Sequence, residues 1–222
     1  MKQLFDDISQ EMSQLTTKRY STSFSLGISF LDSDLHKPIY SIYGFVRFAD
    51  EIVDTFHEYD KTTLMARFRE DTVRAIEDRI SLNPILNSFQ EVYHTFNIDW
   101  ELVDTFLKSM EMDLCEQQYD RAGFENYILG SAEVVGLMCL KVFTSGDTEE
   151  YNRLKPFAMR LGAAFQKINF LRDLKADYEN LGRAYFPHLD LTRFGESEKF
   201  QIEREIAEDF SEAYKGILML PK

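Results

Sequence analysis

Gln166-Lys-Ile-Asn-Phe-Leu-Arg-Asp-Leu-Lys-Ala-Asp177 places four oxygen-bearing side chains on one face of a predicted helix. At 100° per residue, the four fall within a sector of about 80°. They are Gln166, Asn169, Asp173 and Asp177. Oxygen is the ligand that a hard divalent cation such as Mg²⁺ prefers. The stretch therefore predicts a helix with a polar face suited to metal binding, surrounded by apolar residues.

A second stretch, Tyr40-Ser-Ile-Tyr-Gly-Phe-Val-Arg-Phe-Ala-Asp-Glu-Ile-Val-Asp54, has a similar acidic stripe. Its other sides are largely apolar, which predicts a buried helix. A buried ion needs a compensating charge, so we expect Arg47 to neutralise either Asp50 or Asp54. We expect a cation or a second basic side chain to neutralise the other aspartate. We expect the two helices to face each other across a metal ion bound to a polyanion, whose oxygens suit arginine side chains.

The spacing of these acidic pairs is no better than chance, so spacing alone favours two solvated helix faces. Such a face is our expectation for another pair, Glu205 and Asp209. The apolar surroundings of the first two pairs are what favour a functional site there.

Composition indicates one all-α domain. The chain has 222 residues, of which 44% are hydrophobic, enough for a single core. With only 10 Gly and 5 Pro, the chain has few breaks, which favours helices over a sandwich or a barrel. The net charge of −13 argues against a nucleic-acid surface and against a broad electrostatic grip on anionic lipid.

The cysteines and the N-terminus predict the cellular location. Cys115 and Cys139 offer neither a disulfide framework nor the spacing of a metal site, which is typical of a reducing cytoplasm. The first residues lack the apolar core of a signal peptide, and no apolar run approaches the ~18 residues of a membrane span. We therefore expect a cytoplasmic protein.

Helical periodicity and breakers predict a bundle of eight to ten helices. Helices are expected over about 3–16, 38–56, 61–80, 84–97, 99–118, 123–143, 149–180 and 197–218. Residues 19–30 are ambiguous. We expect Pro38 in the first turn of its helix and Pro156 to break or restart the long one.

Several longer motifs then occur in a fixed order: Ser21-Thr-Ser-Phe24, Tyr43 to Asp54, Met112-Asp-Leu114 with Tyr119, Gly130-Ser-Ala-Glu-Val-Val-Gly136, Gln166 to Asp177, and Asn180 and Arg183 with Tyr185-Phe-Pro187. On these motifs the sequence resembles the squalene/phytoene synthase family, the head-to-head class of trans-prenyltransferases, from about Arg19 to its last residue. It departs from the family at Tyr127-Ile-Leu129, where a Tyr-x-Tyr is usual. It also stops at Leu220-Pro-Lys222, where members usually have one or two further helices.

The resemblance implies one helical domain of the isoprenoid-synthase type over residues 1–222, lacking the last C-terminal helices, with a central cavity between the two aspartate-bearing helices. It implies a transferase that joins two prenyl diphosphates through a cyclopropyl intermediate. The motif around Arg47 looks more like phytoene synthases. We therefore predict the conversion of two geranylgeranyl diphosphates, through prephytoene diphosphate, to phytoene for carotenoid biosynthesis. The alternatives are a squalene or dehydrosqualene synthase that uses farnesyl diphosphate, and a non-catalytic assembly factor.

The resemblance also implies roles for single residues. The implied ligands of Mg²⁺, or of Mn²⁺ in its place, are Asp50, Asp54, Asn169, Asp173 and Asp177. The implied catalytic residues are the four aspartates with Tyr43 and Tyr185. The implied substrate-binding residues are Ser21, Phe24, Arg47, Tyr127, Gln166, Asn169, Arg172 and Arg183, with the rings of Phe24, Tyr43 and Tyr127 shielding carbocations. NADPH is not expected for a phytoene synthase. We expect a monomer or a homodimer and leave peripheral contact with a membrane open.

Overall fold

The computed structural model describes residues 1–115, 120–176 and 195–220, and only the backbone of residues 174–176 and 198. This described part is all-α, as predicted, and contains no strand. Its helices are α1 Lys2–Tyr20, α2 Thr22–Ser29, α3 Ser33–Asp54, α4 Lys61–Asp78, α5 Pro84–Thr95, α6 Trp100–Met112, α7 Arg121–Ile128, the π-helical segment Leu129–Glu133, α8 Val134–Phe143, α9 Thr148–Ala176 and α10 Glu196–Ile217.

The ambiguous stretch 19–30 contains the break between α1 and α2. Ser21 interrupts the helices with an extended backbone (φ −145°, ψ 110°), and its side chain accepts a hydrogen bond of 3.2 Å from the Phe24 backbone N–H. A serine that caps a new helix in this way stabilises the start of that helix. We call residues 20–24 the elbow.

Both prolines lie inside helices, which corrects two predictions. The α3 helix begins at Ser33 rather than at Pro38, because Asp32 caps it by accepting from the Asp34 backbone N–H at 3.4 Å. The α9 helix continues through Pro156 without interruption. A proline removes one hydrogen bond of the ladder, and these long helices retain many others.

The C-terminal end of α6 also differs from its prediction. The helix ends at Met112 instead of continuing to about residue 118. Turns follow over residues 113–115, with the Cys115 backbone N–H bonded to the Met112 carbonyl at 3.0 Å. Residues 116–119 lie outside the described part.

The chain divides into two compact units, which are described separately. The first comprises Met1–Trp100 and Lys141–Thr148, and the second comprises Glu101–Leu140 and Glu149–Lys222. An aromatic stack forms the core of the first unit: the ring of Phe45 in α3 lies 4.0 Å from that of Phe89 in α5 and 5.6 Å from that of Phe68 in α4. Phe45 is completely buried, so this stack fixes the rotation of α3 and with it the face that carries Arg47.

The α1 helix reverses the usual amphipathic pattern. Its buried residues are small or polar, namely Asp6, Ser9, Ser13 and Thr17. Its large apolar residues Leu4, Ile8, Met12 and Leu15 are exposed.

Short side chains let α1 lie close to its neighbours. The hydroxyls of Ser13 and Ser88 are 2.6 Å apart, and Asn87 donates to Asp6 at 3.0 Å. A Cβ atom added to Gly44 of α3 would lie only 3.0 Å from Ser13 Oγ. Hydrogen bonds and close contact therefore attach α1 to the first unit.

The core of the second unit joins α7, α9 and α10. Its buried cluster consists of Phe124, Tyr127, Ile128, Ala163, Phe170, Ile202 and Ile206. Glycines allow neighbouring backbones to approach: a Cβ on Gly130 would meet the Thr105 carbonyl oxygen at 2.9 Å, and one on Gly162 would meet the Ala132 carbonyl oxygen at 2.8 Å. The small residues that the sequence places in this stretch thus serve close helix packing.

The run Arg121–Phe143 is the only candidate membrane span among the described residues, by length and composition alone. This differs from the expectation that no run approaches that length. Half of its most apolar window is buried, and Leu137 and Met138 are almost completely so. Such burial is what a core helix of a helical domain shows as well, so the run is weak support for a membrane span.

Candidate active site

In the first unit, the elbow and one face of α3 bring several predicted site residues together. The rings of Phe24 and Tyr43 lie 5.5 Å apart between centroids. Ser21, which caps α2, also lies near enough to the Tyr43 side chain to affect its ionisation. The Ser21-Thr-Ser-Phe24 motif therefore packs against α3, the helix that carries the first aspartates.

Arg47 is the centre of this cluster. Its Nη2 donates to Glu51 Oε2 at 2.5 Å, and Tyr20 covers the guanidinium group, with 4.5 Å between Arg47 Cζ and the ring centroid. Nε of Arg47 is buried and has no hydrogen-bond partner in the part of the chain that the structure describes. An unpaired buried donor is costly, so this N–H is suited to an anionic oxygen.

The two aspartates of α3 differ in exposure. Asp50 is half-buried, whereas Asp54 at the end of the helix is exposed. The prediction of two buried carboxylates is therefore wrong for Asp54, because the helix ends there and its last turn reaches the surface. The direct partner of Arg47 is Glu51, although the Asp50 charge also acts on the guanidinium.

The charges of this cluster shift the ionisation of its members. Burial raises the pKa of Tyr43, against the opposing effects of the nearby Ser21 side chain and the Arg47 charge. Burial works to lower the pKa of Arg47, but the Glu51 hydrogen bond and the Asp50 and Glu51 charges outweigh it and raise that pKa. The cluster thus holds a phenol and a guanidinium cation.

In the second unit, α9 carries the other predicted residues. Gln166, Asn169 and Asp173 are half-exposed, and the Asn169 amide lies 3.5 Å from the Gln166 side-chain oxygen. Arg172 donates to both oxygens of its neighbour Asp173, at 2.8 and 2.6 Å. The side of α9 next to these polar residues is partly exposed to solvent, because the side chain of Phe165 is 50% exposed. The helix is therefore less buried than its apolar pattern predicts.

Tyr127 lies in the core of the second unit. Its ring centroid is 5.8 Å from that of Phe170, the residue that follows Asn169 on α9. Its hydroxyl donates to Asp113 at 2.6 Å. This tyrosine is therefore held at both ends, by the ring of Phe170 and by a carboxylate.

Some predicted residues lie outside the described part of the chain: Asp177, Arg183 and Tyr185. Three further residues at these clusters were given no role by the sequence: Tyr20, Glu51 and Asp113. Glu51 follows Arg47 by four residues, a spacing that predicts an ion pair on a helix. Asp113 lies within the Met112-Asp-Leu114 motif, whereas no sequence pattern joins Tyr20 to a residue of another helix.

The described residues contain no group of three or more His, Cys, Asp or Glu side chains that could hold a metal ion. Asp50 and Asp54, with Arg47 on the same helix, instead offer a carboxylate pair and a cationic side chain. Such a set can bind a polyanion together with its counter-cations, because each carboxylate can share a cation with the anion.

Comparisons with known proteins identify the family of the chain. A profile of the squalene/phytoene synthase family matches residues 17–217. The chain is 26% identical over 198 residues to a 4,4′-diapophytoene synthase from Staphylococcus haemolyticus, covering 86% of this chain and 67% of that protein. It is 29% identical over 179 residues to a phytoene synthase from Pseudescherichia vulneris, covering 75% and 56%. The chain thus spans from about half to two thirds of the length of these relatives.

Solved structures show the same fold. A dehydrosqualene synthase in complex with a ligand matches with a TM-score of 0.85 at 22% identity, over 98% of this chain and 80% of the other. A squalene synthase from Alicyclobacillus acidocaldarius matches with a TM-score of 0.80 at 23% identity, over 96% and 84%. The predicted all-α isoprenoid-synthase fold is thereby confirmed.

Proposed function

Because the chain belongs to the squalene/phytoene synthase family, we propose that it is a prenyltransferase that condenses two prenyl diphosphates head to head. The observation that carries the proposal is on α3. Arg47 has a buried N–H with no acceptor among the described residues, and Asp50 and Asp54 follow on the same face. A guanidinium donor beside carboxylates suits a diphosphate with its counter-cations.

Mg²⁺, or Mn²⁺ in its place, is part of the proposal. Mg²⁺ is usually held by one or two carboxylates together with substrate phosphates, so a carboxylate pair fits it better than a complete protein cage would. The residues that would hold it are Asp50, Asp54, Asn169, Asp173 and Asp177. When bound, the ion would neutralise the diphosphate and stabilise it as a leaving group.

The polar residues of the chain then have distinct tasks. Arg47 binds a phosphate oxygen through Nε, and Gln166 and Asn169 present amide groups to the diphosphate or to its cation. Arg172 exchanges Asp173 for a phosphate oxygen, which frees that carboxylate for the metal. This exchange is inexpensive because the Arg172 side chain is 66% exposed, and exposed ion pairs contribute little.

The aromatic residues surround the hydrocarbon chemistry. Loss of diphosphate from one substrate leaves an allylic cation. The double bond of the second substrate attacks this cation, which moves the positive charge to the second substrate, and loss of a proton from that substrate closes the cyclopropane. The ring faces of Phe24 and Tyr43, which pack against each other, and that of Tyr127 stabilise positive charge without offering a nucleophile. Arg183 and Tyr185, which follow α9 in sequence, complete the proposed site.

For the substrate we propose geranylgeranyl diphosphate, with phytoene as the product, on the strength of the motif around Arg47. A C15 substrate is the second candidate, because one relative is named a 4,4′-diapophytoene synthase and one structural neighbour is a dehydrosqualene synthase. Identities of 26% and 29% do not separate the two. Neither product requires NADPH, which squalene formation would.

A product assay tests the proposal. The protein is incubated with Mg²⁺ and either geranylgeranyl or farnesyl diphosphate, without NADPH, and the extracted hydrocarbons are identified by mass spectrometry. We expect a C40 hydrocarbon that disappears when EDTA is added. A C30 hydrocarbon alone would favour the second candidate, and the absence of both hydrocarbons and of a cyclopropyl diphosphate would contradict the proposed function. The cytoplasmic location, the monomeric or homodimeric state and a peripheral membrane contact remain predictions.

A further inference from the structure

Tyr20 is the last residue of α1, and it lies outside every motif that the sequence shares with the family. Its ring nevertheless covers the guanidinium group of Arg47 on α3, with Arg47 Cζ at 4.5 Å from the ring centroid. Both residues belong to the first unit. The contact thus brings a residue without an assigned role onto the arginine proposed to bind diphosphate.

A guanidinium group can pack one of its flat faces against a ring and direct its N–H donors to anionic oxygens, and Arg47 does the first while part of its edge stays available for the second. The Tyr20 ring lies against the guanidinium group, and Glu51 accepts from Nη2 at 2.5 Å. The Nε donor is left without an acceptor in the described part of the chain. A cation above an aromatic ring is attracted by the ring quadrupole, so Tyr20 and Glu51 together fix the direction in which Nε points.

A fixed arginine binds an anion more tightly than a mobile one. A free arginine side chain loses rotamer freedom when it engages a ligand, and this loss weakens binding. A side chain that is already held in the folded protein loses less. The arrangement at Arg47 therefore lowers the entropic cost of binding a phosphate group.

We propose that Tyr20 is a positioning residue, which holds the Arg47 guanidinium ready for the substrate diphosphate. The inference rests on the proposed function, because it assigns Arg47 to that ligand. Tyr20 acts through Arg47, and no contact between Tyr20 and the substrate is part of the proposal.

The fold provides a rigid base for this contact. Ser13 and Thr17 hold the C-terminal half of α1 against the first unit: Ser13 is hydrogen-bonded to Ser88, and Thr17 is completely buried. Ser21 then ends α1, caps α2 and lies near Tyr43. Tyr20 is itself 49% exposed, so its ring adds little to the core and its loss is expected to leave the fold intact.

The experiment measures the binding of inorganic diphosphate in the presence of Mg²⁺ by calorimetry, together with KM and kcat. In the Tyr20→Leu variant we expect a dissociation constant about threefold to tenfold higher, with a matching rise in KM and little change in kcat. Tyr20→Phe and Tyr20→Trp keep a ring face and should bind within about twofold of the wild type. Tyr214→Leu removes an exposed tyrosine from α10 in the second unit and serves as the matched control.

A second comparison separates positioning from a structural effect. In an Arg47→Gln background, the further change Tyr20→Leu should no longer weaken binding, because the group that it positions is gone. Equal losses in both backgrounds, wild-type affinity in Tyr20→Leu, or loss of affinity in Tyr20→Phe would overturn the inference while leaving the proposed function intact. If the wild-type protein binds no diphosphate and makes no product, the proposed function fails first and the positioning role fails with it.

Discussion

The hydroxyl of Tyr127 donates a hydrogen bond of 2.6 Å to Oδ2 of Asp113, and both residues are buried. A carboxylate that is only 6% exposed requires strong donors to offset its desolvation. The ring of Tyr127 packs on Phe170 of α9, so the pair links the segment after α6 to α7 and α9. The orientation of the ring proposed to shield a carbocation is thus set by a residue that has no chemical role of its own.

Replacing Tyr127 by Phe should destabilise the protein by about 1–3 kcal/mol, because Asp113 stays buried and loses a donor. The ring is retained, so its packing on Phe170 is unchanged. The free energy of unfolding in urea measures the effect, with Tyr59→Phe, at an exposed tyrosine, as the control. Equal stability of Tyr127→Phe and the wild type would show that this hydrogen bond contributes nothing.

The changes Asp50→Asn and Asp173→Asn should each reduce turnover on the order of 100-fold or more, since each removes a negative ligand that positions the metal and the diphosphate. Both residues are half-exposed, so stability should change little. Steady-state product formation and thermal unfolding are measured in parallel. Asp71→Asn, at an exposed aspartate on α4, is the matched control. Full turnover in either site variant would contradict the assignment of that aspartate as a metal ligand.

The change Gly130→Ala should destabilise the second unit by about 1–3 kcal/mol, because the new Cβ would lie 2.6 Å from the Ser109 Cβ and 2.9 Å from the Thr105 carbonyl oxygen. The backbone of α6 would have to move. The control is Gly27→Ala on α2, where a Cβ would meet nothing within 4 Å and alanine favours the helix by about 0.5–1 kcal/mol. Chemical denaturation should show opposite signs for the two variants, and a shared sign would refute the packing argument.

Glu133, at the end of the π-helical segment, gives a prediction about pH. Burial raises its pKa to about 7 from the usual 4.5; the charges of Arg160 and Lys167 oppose this shift and that of Asp209 adds to it. Between about pH 4.5 and pH 7 the folded protein therefore binds more protons here than the unfolded chain does. The free energy of unfolding should fall as the pH rises through that range and then level off.

The change Glu133→Gln removes this titration and should flatten that part of the pH profile. After a discount for partial exposure, we expect the variant to gain on the order of 1 kcal/mol relative to the wild type at pH 8 compared with pH 5. Urea unfolding at both pH values measures the difference. A stability difference between variant and wild type that is the same at both pH values would exclude the shifted carboxyl as the cause.

Helical pattern and motif order predicted the all-α fold and most of the helices, because periodicity is a local property of the sequence. Burial of single charges was predicted poorly. Asp209 was expected on a solvated face, yet it is 3% exposed and accepts from Arg160 and Lys167 of α9 at 2.9 and 2.7 Å. Asp54 was expected to be buried and is exposed. Burial depends on which helices pack together, and a spacing of four residues carries no such information.

Within the candidate site, too, a contact inside one helix could be predicted from the sequence, whereas a contact between two helices could not. Glu51 could have been assigned to Arg47 from its spacing on one helix. Tyr20 could not, because its contact with Arg47 exists only once α1 and α3 pack together in the folded first unit. Long-range contacts between elements required the three-dimensional structure.

The reversed α1 helix has a practical consequence for protein engineering. Its outer residues Leu4, Ile8, Met12 and Leu15 contribute little to the attachment of the helix, which depends on serines, a threonine and an asparagine–aspartate pair. A redesign that kept every buried apolar position and discarded polar ones would remove the part of the helix that holds it in place. Polar replacements on the outer face are the safer route to a more soluble variant, whereas larger residues in place of the buried Ser9 and Ser13 would overpack this contact and destabilise it.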